Sequence, residues 1–337
     1  MKRRELIFLF LALVVLVSCT DHSKKNIPPD NKVSIEILRF EQDLFRLPAD
    51  RKDMMAGIDS LSGKYGEFLS IFNAAVLKVP DITDPLYPDV LDAYLADRSI
   101  NTIRLACDSV FRNLNPFQEE LSEAFSYYHM EFPEKSVPRV VTFISGLNQS
   151  FISSDSLLGI ALDKYLGLNH PIYGQAFLPL YQRRSMIADR MVPDCMRAWA
   201  LTEFPAGDSV RNILDHILYE GRILYFQEQL IPGIEDSLLC GFSKEQMNWC
   251  KAYENRMWTY LVEKKVIFQT DAFSIAKFVQ DGPFTKDFSN ESPARAAVWI
   301  GYRIVSSYMK RHPDLSLQQL MEIQNLYSLL EGSGYNP

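Results

Sequence analysis

Residues 139–162 read RVVTFISGLNQSFISSDSLLGIAL. Three short runs stand out, Arg139–Ser145, Ser150–Ser153 and Leu157–Leu162, each β-branched or alternating. Gly146, Asn148 and Asp155 supply turn chemistry between them. Here the hydrophobic period drops from helical to two, which predicts a meander of three strands. Val33–Phe40 alternates as well (Val33, Ile35, Ile37 against Ser34, Glu36) and predicts a strand that joins them.

Outward from this stretch the chain is helical. From Asp50 to Val79 apolar residues recur at Met54, Ile58, Leu61, Tyr65, Phe68, Phe72 and Val76, the spacing of one long amphipathic helix, weakened by Gly57, Gly63 and Gly66. Helices follow at 86–96, 99–113 and 116–130, the last with Pro116 in its first turn. Beyond the strands, Val210–Gln229 follows an Asp208-Ser209 cap, and Lys244–Val266 opens on a Ser243-x-x-Gln246 capping box. Shorter helices are predicted at 271–280, 294–311 and 316–330. No Pro/Gly/Ser-rich linker divides the chain after residue 33. The expectation is one domain, 34–337, of the α+β class: predominantly helical, with a small, mainly antiparallel sheet.

The N-terminus has a different logic. Lys2, Arg3 and Arg4 precede an apolar stretch from Leu6 to Val17, and Leu16-Val17-Ser18-Cys19 closes it. A basic start, a short apolar run and a cysteine at the cut form a lipoprotein signal peptide over residues 1–18. The apolar run is shorter than the ~20 residues a spanning helix needs. Cleavage before Cys19 and acylation of its sulfur would tie the chain to a membrane, since two or more acyl chains hold where one is marginal. Residues 19–33 are polar, contain Pro28-Pro29, and read as an extended tether.

The 337 residues carry a net charge of −7, and residues 1–18 hold a net +2, so the mature chain is near −9. That balance excludes sequence-independent nucleic-acid binding, which needs a basic face. With 47% hydrophobic and 12% aromatic residues the chain can bury a core. Cys107, Cys195, Cys240 and Cys250 remain once Cys19 is acylated, and an oxidising periplasm permits disulfides. Four cysteines allow three pairings; Cys240 and Cys250 are the candidate pair by nearness in sequence, against the alternative that each is a small buried apolar residue. No C-x-x-C occurs.

Catalytic motifs are missing. There is no H-E-x-x-H, G-x-S-x-G, P-loop or G-x-G-x-x-G. His216 and Glu220 lie one helical turn apart and could offer two metal ligands, but a zinc site needs at least three from the protein. Asp155, Asp163, Glu220 and Glu254 could pair as acid and base, although nothing in the sequence sets their geometry. Aromatic rows at helical spacing (Trp249, Tyr253, Trp258; Trp299, Tyr302, Tyr308) would line a carbohydrate groove or fill the core. Asp-Ser-aliphatic recurs five times and marks Ser60, Ser109, Ser156, Ser209 and Ser237 as candidate O-glycosylation sites, set against ordinary cap and turn chemistry.

Several stretches together resemble the gliding-motility lipoprotein GldB family of Bacteroidota. They include Asp163-x-Tyr165-Leu166-Gly167, Pro193-Asp194, Tyr219-x-Gly221-x-x-x-Tyr225 and Gly241-Phe242-Ser243-x-Glu245-Gln246-x-x-Trp249-Cys250. The densest are Glu254-x-x-x-Trp258 and Glu291-Ser292-Pro293-x-Arg295-x-x-x-Trp299-Ile300-Gly301. Ala294 stands where the family pattern has glycine. The resemblance implies a cell-envelope lipoprotein with no assigned enzymatic activity. That family in turn looks related to zinc peptidases with H-E-x-x-H on one helix and Glu-Gly on a later one. Glu220-Gly221 matches the later helix, but 186–203 reads MIADRMVPDCMRAWALTE and has no histidine. The resemblance therefore implies a zincin-like scaffold without its metal site, and gives Asp194, His216, Glu220 and Arg295 as candidate cleft residues.

These readings favour a non-enzymatic envelope component that needs no cofactor. It would be held on the membrane through Cys19 and act on other envelope proteins. The run after Cys19 lacks an acidic cluster, which favours a periplasm-facing position. The competing readings are a residual hydrolase using Glu220 and a glycan- or peptide-binding lipoprotein.

Overall fold

A computed structural model describes residues 26–79 and 81–337. The signal peptide, Cys19 and the first part of the tether lie outside the described residues. In chain order the elements are β1 (Ile37–Arg39), α1 (Phe40–Leu44), α2 (Arg51–Tyr65), α3 (Glu67–Phe72), α4 (Tyr87–Ala96), α5 (Arg98–Val110) and α6 (Asn115–Glu131). Next come β2 (Arg139–Phe143), β3 (Phe151–Ser154), β4 (Leu157–Ala161), α7 (Pro171–Gln175), α8 (Leu180–Arg183), α9 (Met191–Glu203) and α10 (Ile213–Leu230). The chain ends with α11 (Asp236–Cys240), α12 (Lys244–Ala252), α13 (Glu254–Glu263), α14 (Ala272–Val279), α15 (Ala296–Arg311), α16 (Leu317–Glu322) and α17 (Tyr327–Ser333). The fold is α+β and predominantly helical, as the sequence implied.

The sheet is not the expected antiparallel meander. Its order is β1-β2-β4-β3; β1 and β4 both run parallel to β2, and only β3 and β4 are antiparallel. Residues 144–150 carry the chain across to the far edge, so the β3–β4 hairpin returns β4 between β2 and β3. Asp163 pins this crossing. Its fully buried carboxylate accepts from the Ser145 N–H and hydroxyl, both at 3.0 Å, and from the Leu147 N–H at 2.6 Å. Every residue of β4 is buried, as a central strand covered on both faces requires.

Helices cover both faces. Val141, Phe143, Leu157 and Ala161 point into a core with Phe40, Phe68 and Phe72 from α1 and α3. Val140, Leu158 and Ile160 point the other way, into a larger core built on α6, α9, α10 and α15. This alternation is the period of two on which the strand reading rested.

The fold also takes hold earlier than residue 34. Pro29–Asn31 forms a 3₁₀ turn, and Ile27 and Val33 pack on the core. The N–H groups of Val33, Ile35 and Ile37 donate to Ser126 Oγ (2.8 Å), Ser122 Oγ (3.0 Å) and Gln118 Oε1 (3.3 Å) of α6. Two residues of strand and four of helix both advance by roughly 6–7 Å, so the two elements stay in step. The helix thereby closes an edge that would otherwise be free to pair.

Four predicted helices differ from expectation, one of them being 316–330, which is two helices, α16 and α17, parted at residues 323–326. The helix predicted over 50–79 breaks at Gly66, whose φ of 51° and ψ of −119° suit glycine and end α2. α10 starts at Ile213 rather than Val210, because Asn212 and Asp215 form the capping box in place of Asp208-Ser209. The predicted 244–266 helix opens on the Ser243–Gln246 box but divides at Tyr253 into α12 and α13.

Candidate functional site

The site is organised by the crossing of α10 and α15. Gly221 and Gly301 meet there, and each leaves room for the other helix's backbone. This close approach carries Glu220 to the junction of α9, α10 and the residue that opens α15.

Glu220 is held by two arginines. Arg197 of α9 places Nη1 2.7 Å from Oε2, and its Nη2 donates to Oε1 at 2.9 Å. Arg295 Nη2 donates to Oε2 at 3.4 Å. Burial pushes the Glu220 carboxyl up, but the Arg197 charge and hydrogen bond, with Arg295, outweigh it and hold the group below the usual carboxylate range. Glu220 is thus a fixed anion with its lone pairs engaged by guanidinium groups.

Arg295 caps α15 with φ at 59°, a left-handed conformation uncommon for a residue with a side chain. That conformation is found on Arg295 and not on Ala294, so alanine is tolerated where the family pattern has glycine. The second Nη of Arg295 reaches Asp281 at 3.5 Å. On α9, Asp194 accepts from Arg190, one turn earlier, and from the Tyr165 hydroxyl at 3.1 Å. Arg190 also donates to the Leu238 and Leu239 carbonyls at the end of α11.

These groups border a cleft of about 540 Å³ between α9 and the outer strand β3, with Arg190, Asp194, Arg197, Asp281 and Arg295 on its wall. Of the sequence candidates, Asp194 and Arg295 line it and Glu220 lies directly behind Arg197. His216 is a turn before Glu220 and makes no hydrogen bond to it. Burial lowers the His216 imidazole below its usual value, opposed by Asp215 and Glu220. Arg190, Arg197, Tyr165 and Asp281 were missed. The spacing Arg190-x-x-x-Asp194-x-x-Arg197, one face of a helix, was the available signal.

Other candidates turn out structural. Asp163 anchors the strand crossover. Glu254 accepts from Trp299 Nε1 and Arg303 Nε, each at 3.1 Å, and from the Tyr335 hydroxyl at 2.9 Å. Trp299 is 2% exposed and Trp258 packs edge-on against Tyr335, so these two rings line no open groove, while Trp249 and Tyr253 of the first row border a separate cleft. The candidate pair Cys240 and Cys250 is not bonded: both thiols, like Cys107 and Cys195, are free and buried, and burial pushes Cys240 up to about 12. Ser60, Ser109, Ser156 and Ser209 are exposed, whereas Ser237 is buried and therefore a poor acceptor for a sugar. Among the described residues no group of three His, Cys, Asp or Glu side chains is placed to hold a metal ion.

The family model for gliding motility protein GldB matches residues 20–337. The chain belongs to the GldB family. GldB membership makes it a gliding-motility-associated lipoprotein of the cell envelope. No curated protein and no solved structure matches it. Among the described residues no helix is long and apolar enough to cross a membrane.

Proposed function

We propose that this GldB-family chain is a non-enzymatic component of the envelope, anchored through acylated Cys19, facing the periplasm and acting through contacts with other envelope proteins. The observation that carries the reading is the clamp on Glu220. The zinc peptidases that the family resembles carry H-E-x-x-H on one helix and Glu-Gly on a later one. Here the helix that meets Glu220-Gly221 has no histidine and sets Arg197 against Glu220. The Arg197 guanidinium neutralises Glu220 directly. Arginine presents five donors and no acceptor, so it cannot ligate a metal. The zincin-like scaffold is part of the same proposal.

The topology suits a tethered molecule. The chain before β1 leaves at the N-terminal end of the parallel strands, while the turn after β4 and the α7–α8 segment lie at their C-terminal end. Those segments can therefore face away from the anchoring bilayer.

Two measurements test the reading. Metal analysis of the purified lipoprotein should find no stoichiometric zinc, and bound zinc at one per chain would overturn the non-enzymatic assignment. Crosslinking in the intact envelope should join the chain to a defined set of envelope proteins, and a chain that crosslinks to none would remove the contact role.

A further inference from the structure

A second cleft, separate from the arginine site, is formed by α12, α13 and the loop before α15. Its volume is about 380 Å³. Trp249, Tyr253, Arg256 and Tyr260 line it at spacings of four, three and four. The chain stays helically bonded through the break at Tyr253, whose N–H donates to Trp249 O and whose carbonyl accepts from Met257. These four residues therefore form one stripe, while Met247, Cys250, Met257 and Leu261 form the buried face.

The arrangement is built rather than incidental. Tyr253 stacks on Trp249 with centroids 4.8 Å apart, and the Arg256 guanidinium lies over Tyr253 at 5.3 Å. Tyr253 is therefore covered on both sides, and it sets the attitude of the half-exposed Trp249 ring. At the end of the stripe the Tyr260 ring meets Phe288 of the facing loop edge-on at 5.7 Å, and burial, with the charge of nearby Asp287, pushes its hydroxyl up. The loop that brings Asp287 and Glu291 is held from beneath by buried Thr285 and Ser292. Ser292 Oγ donates to Thr285 O at 2.9 Å and accepts from Thr285 N at 3.1 Å. The rim is thus pre-formed, which lowers the ordering cost of binding.

We infer that this cleft binds a glycan chain, with the apolar C–H face of a pyranose ring laid on Trp249 and its hydroxyls bonded to Asp287, Glu291 and Arg256. A pyranose has one apolar face and a belt of hydroxyls that both donate and accept. The wall supplies flat apolar rings, and the rim supplies two carboxylate acceptors and one guanidinium donor. An acyl chain would leave those three charges desolvated without partners. A nucleic acid is disfavoured by the chain's negative balance.

The test uses the full lipoprotein in a detergent without a sugar headgroup. Soluble oligomers of N-acetylglucosamine, glucose and mannose, and isolated peptidoglycan fragments, are titrated while the tryptophan indole NMR signals and fluorescence are followed. At least one glycan should shift the Trp249 indole signal saturably, and Trp249→Ala should weaken that glycan by at least about tenfold. Trp258→Phe, away from the cleft, should leave it unchanged. Glu291 is exposed, so Glu291→Gln folds as the parent does and should weaken binding about threefold or more. No shift of the Trp249 signal with any glycan at millimolar concentration, or equal affinity in Trp249→Ala and Glu291→Gln, overturns the proposal.

Discussion

Gly221 and Gly301 face each other where α10 and α15 cross, with no side chain between the two backbones. A β-carbon on Gly221 would fall on the Gly301 carbonyl, and one on Gly301 on the carbonyl of Ile217. Neither obstacle is a movable side chain, so the helices would have to separate. Overpacking a core costs about 1–3 kcal/mol, occasionally more. Gly301→Ala should sit at or above the top of that range in urea unfolding. Gly63 is the contrast: it is exposed on α2 with open space where a β-carbon would stand. Gly63→Ala should stabilise by about 0.5–1 kcal/mol through helix propensity.

Glu220 and Arg197 should be strongly coupled. Removing the guanidinium with Arg197→Met strands a buried carboxylate on the weaker Arg295 contact, at a cost of about 3–5 kcal/mol. The double variant Arg197→Met, Glu220→Leu should recover part of that loss, and a double-mutant cycle on urea midpoints measures it. Equal, additive losses would contradict the coupling.

The same pair sets an acid limit. The folded Glu220 carboxyl is held below its ordinary value of 4.5, so its contribution is complete above that value and is lost as pH falls toward the lower, folded one. The stability gap between the parent protein and Glu220→Gln should be constant near neutrality and shrink below about pH 4.5. Urea titrations across pH 3–7 read this directly.

Ser122 and Ser126 stitch the segment leading into β1 to α6. Alanine at either leaves an N–H of the chain without its acceptor, at about 1–2 kcal/mol each. Amide exchange at Val33 and Ile35 should accelerate well before the rest of the sheet is affected.

Two predictions concern covalent modification. Cys19→Ala should fail to incorporate labelled palmitate and should move the chain from the membrane to the soluble fraction. If intact-mass measurement of the native protein shows added hexose, Ser237→Ala should leave the mass increment unchanged, because Ser237 is buried, while the exposed Ser60, Ser109, Ser156 and Ser209 remain candidates.

The sequence by itself determined where the strands and most of the long helices lie, because periods of two and of three to four are local properties of the chain, while short helices such as α7, α8 and α11 carry too few residues to show a period. It also carried the family, through motifs spread from Asp163 to Gly301. It could not order the strands. Whether Leu157–Ala161 lies outside β3 or between β2 and β3 depends on a crossover pinned by Asp163, and Asp163 gives no local sign of that role. Nor could it show that Glu220 is clamped. Arg197 and Arg295 lie 23 and 75 residues away along the chain, and only the glycine-to-glycine crossing of α10 and α15 brings their charges onto one carboxylate.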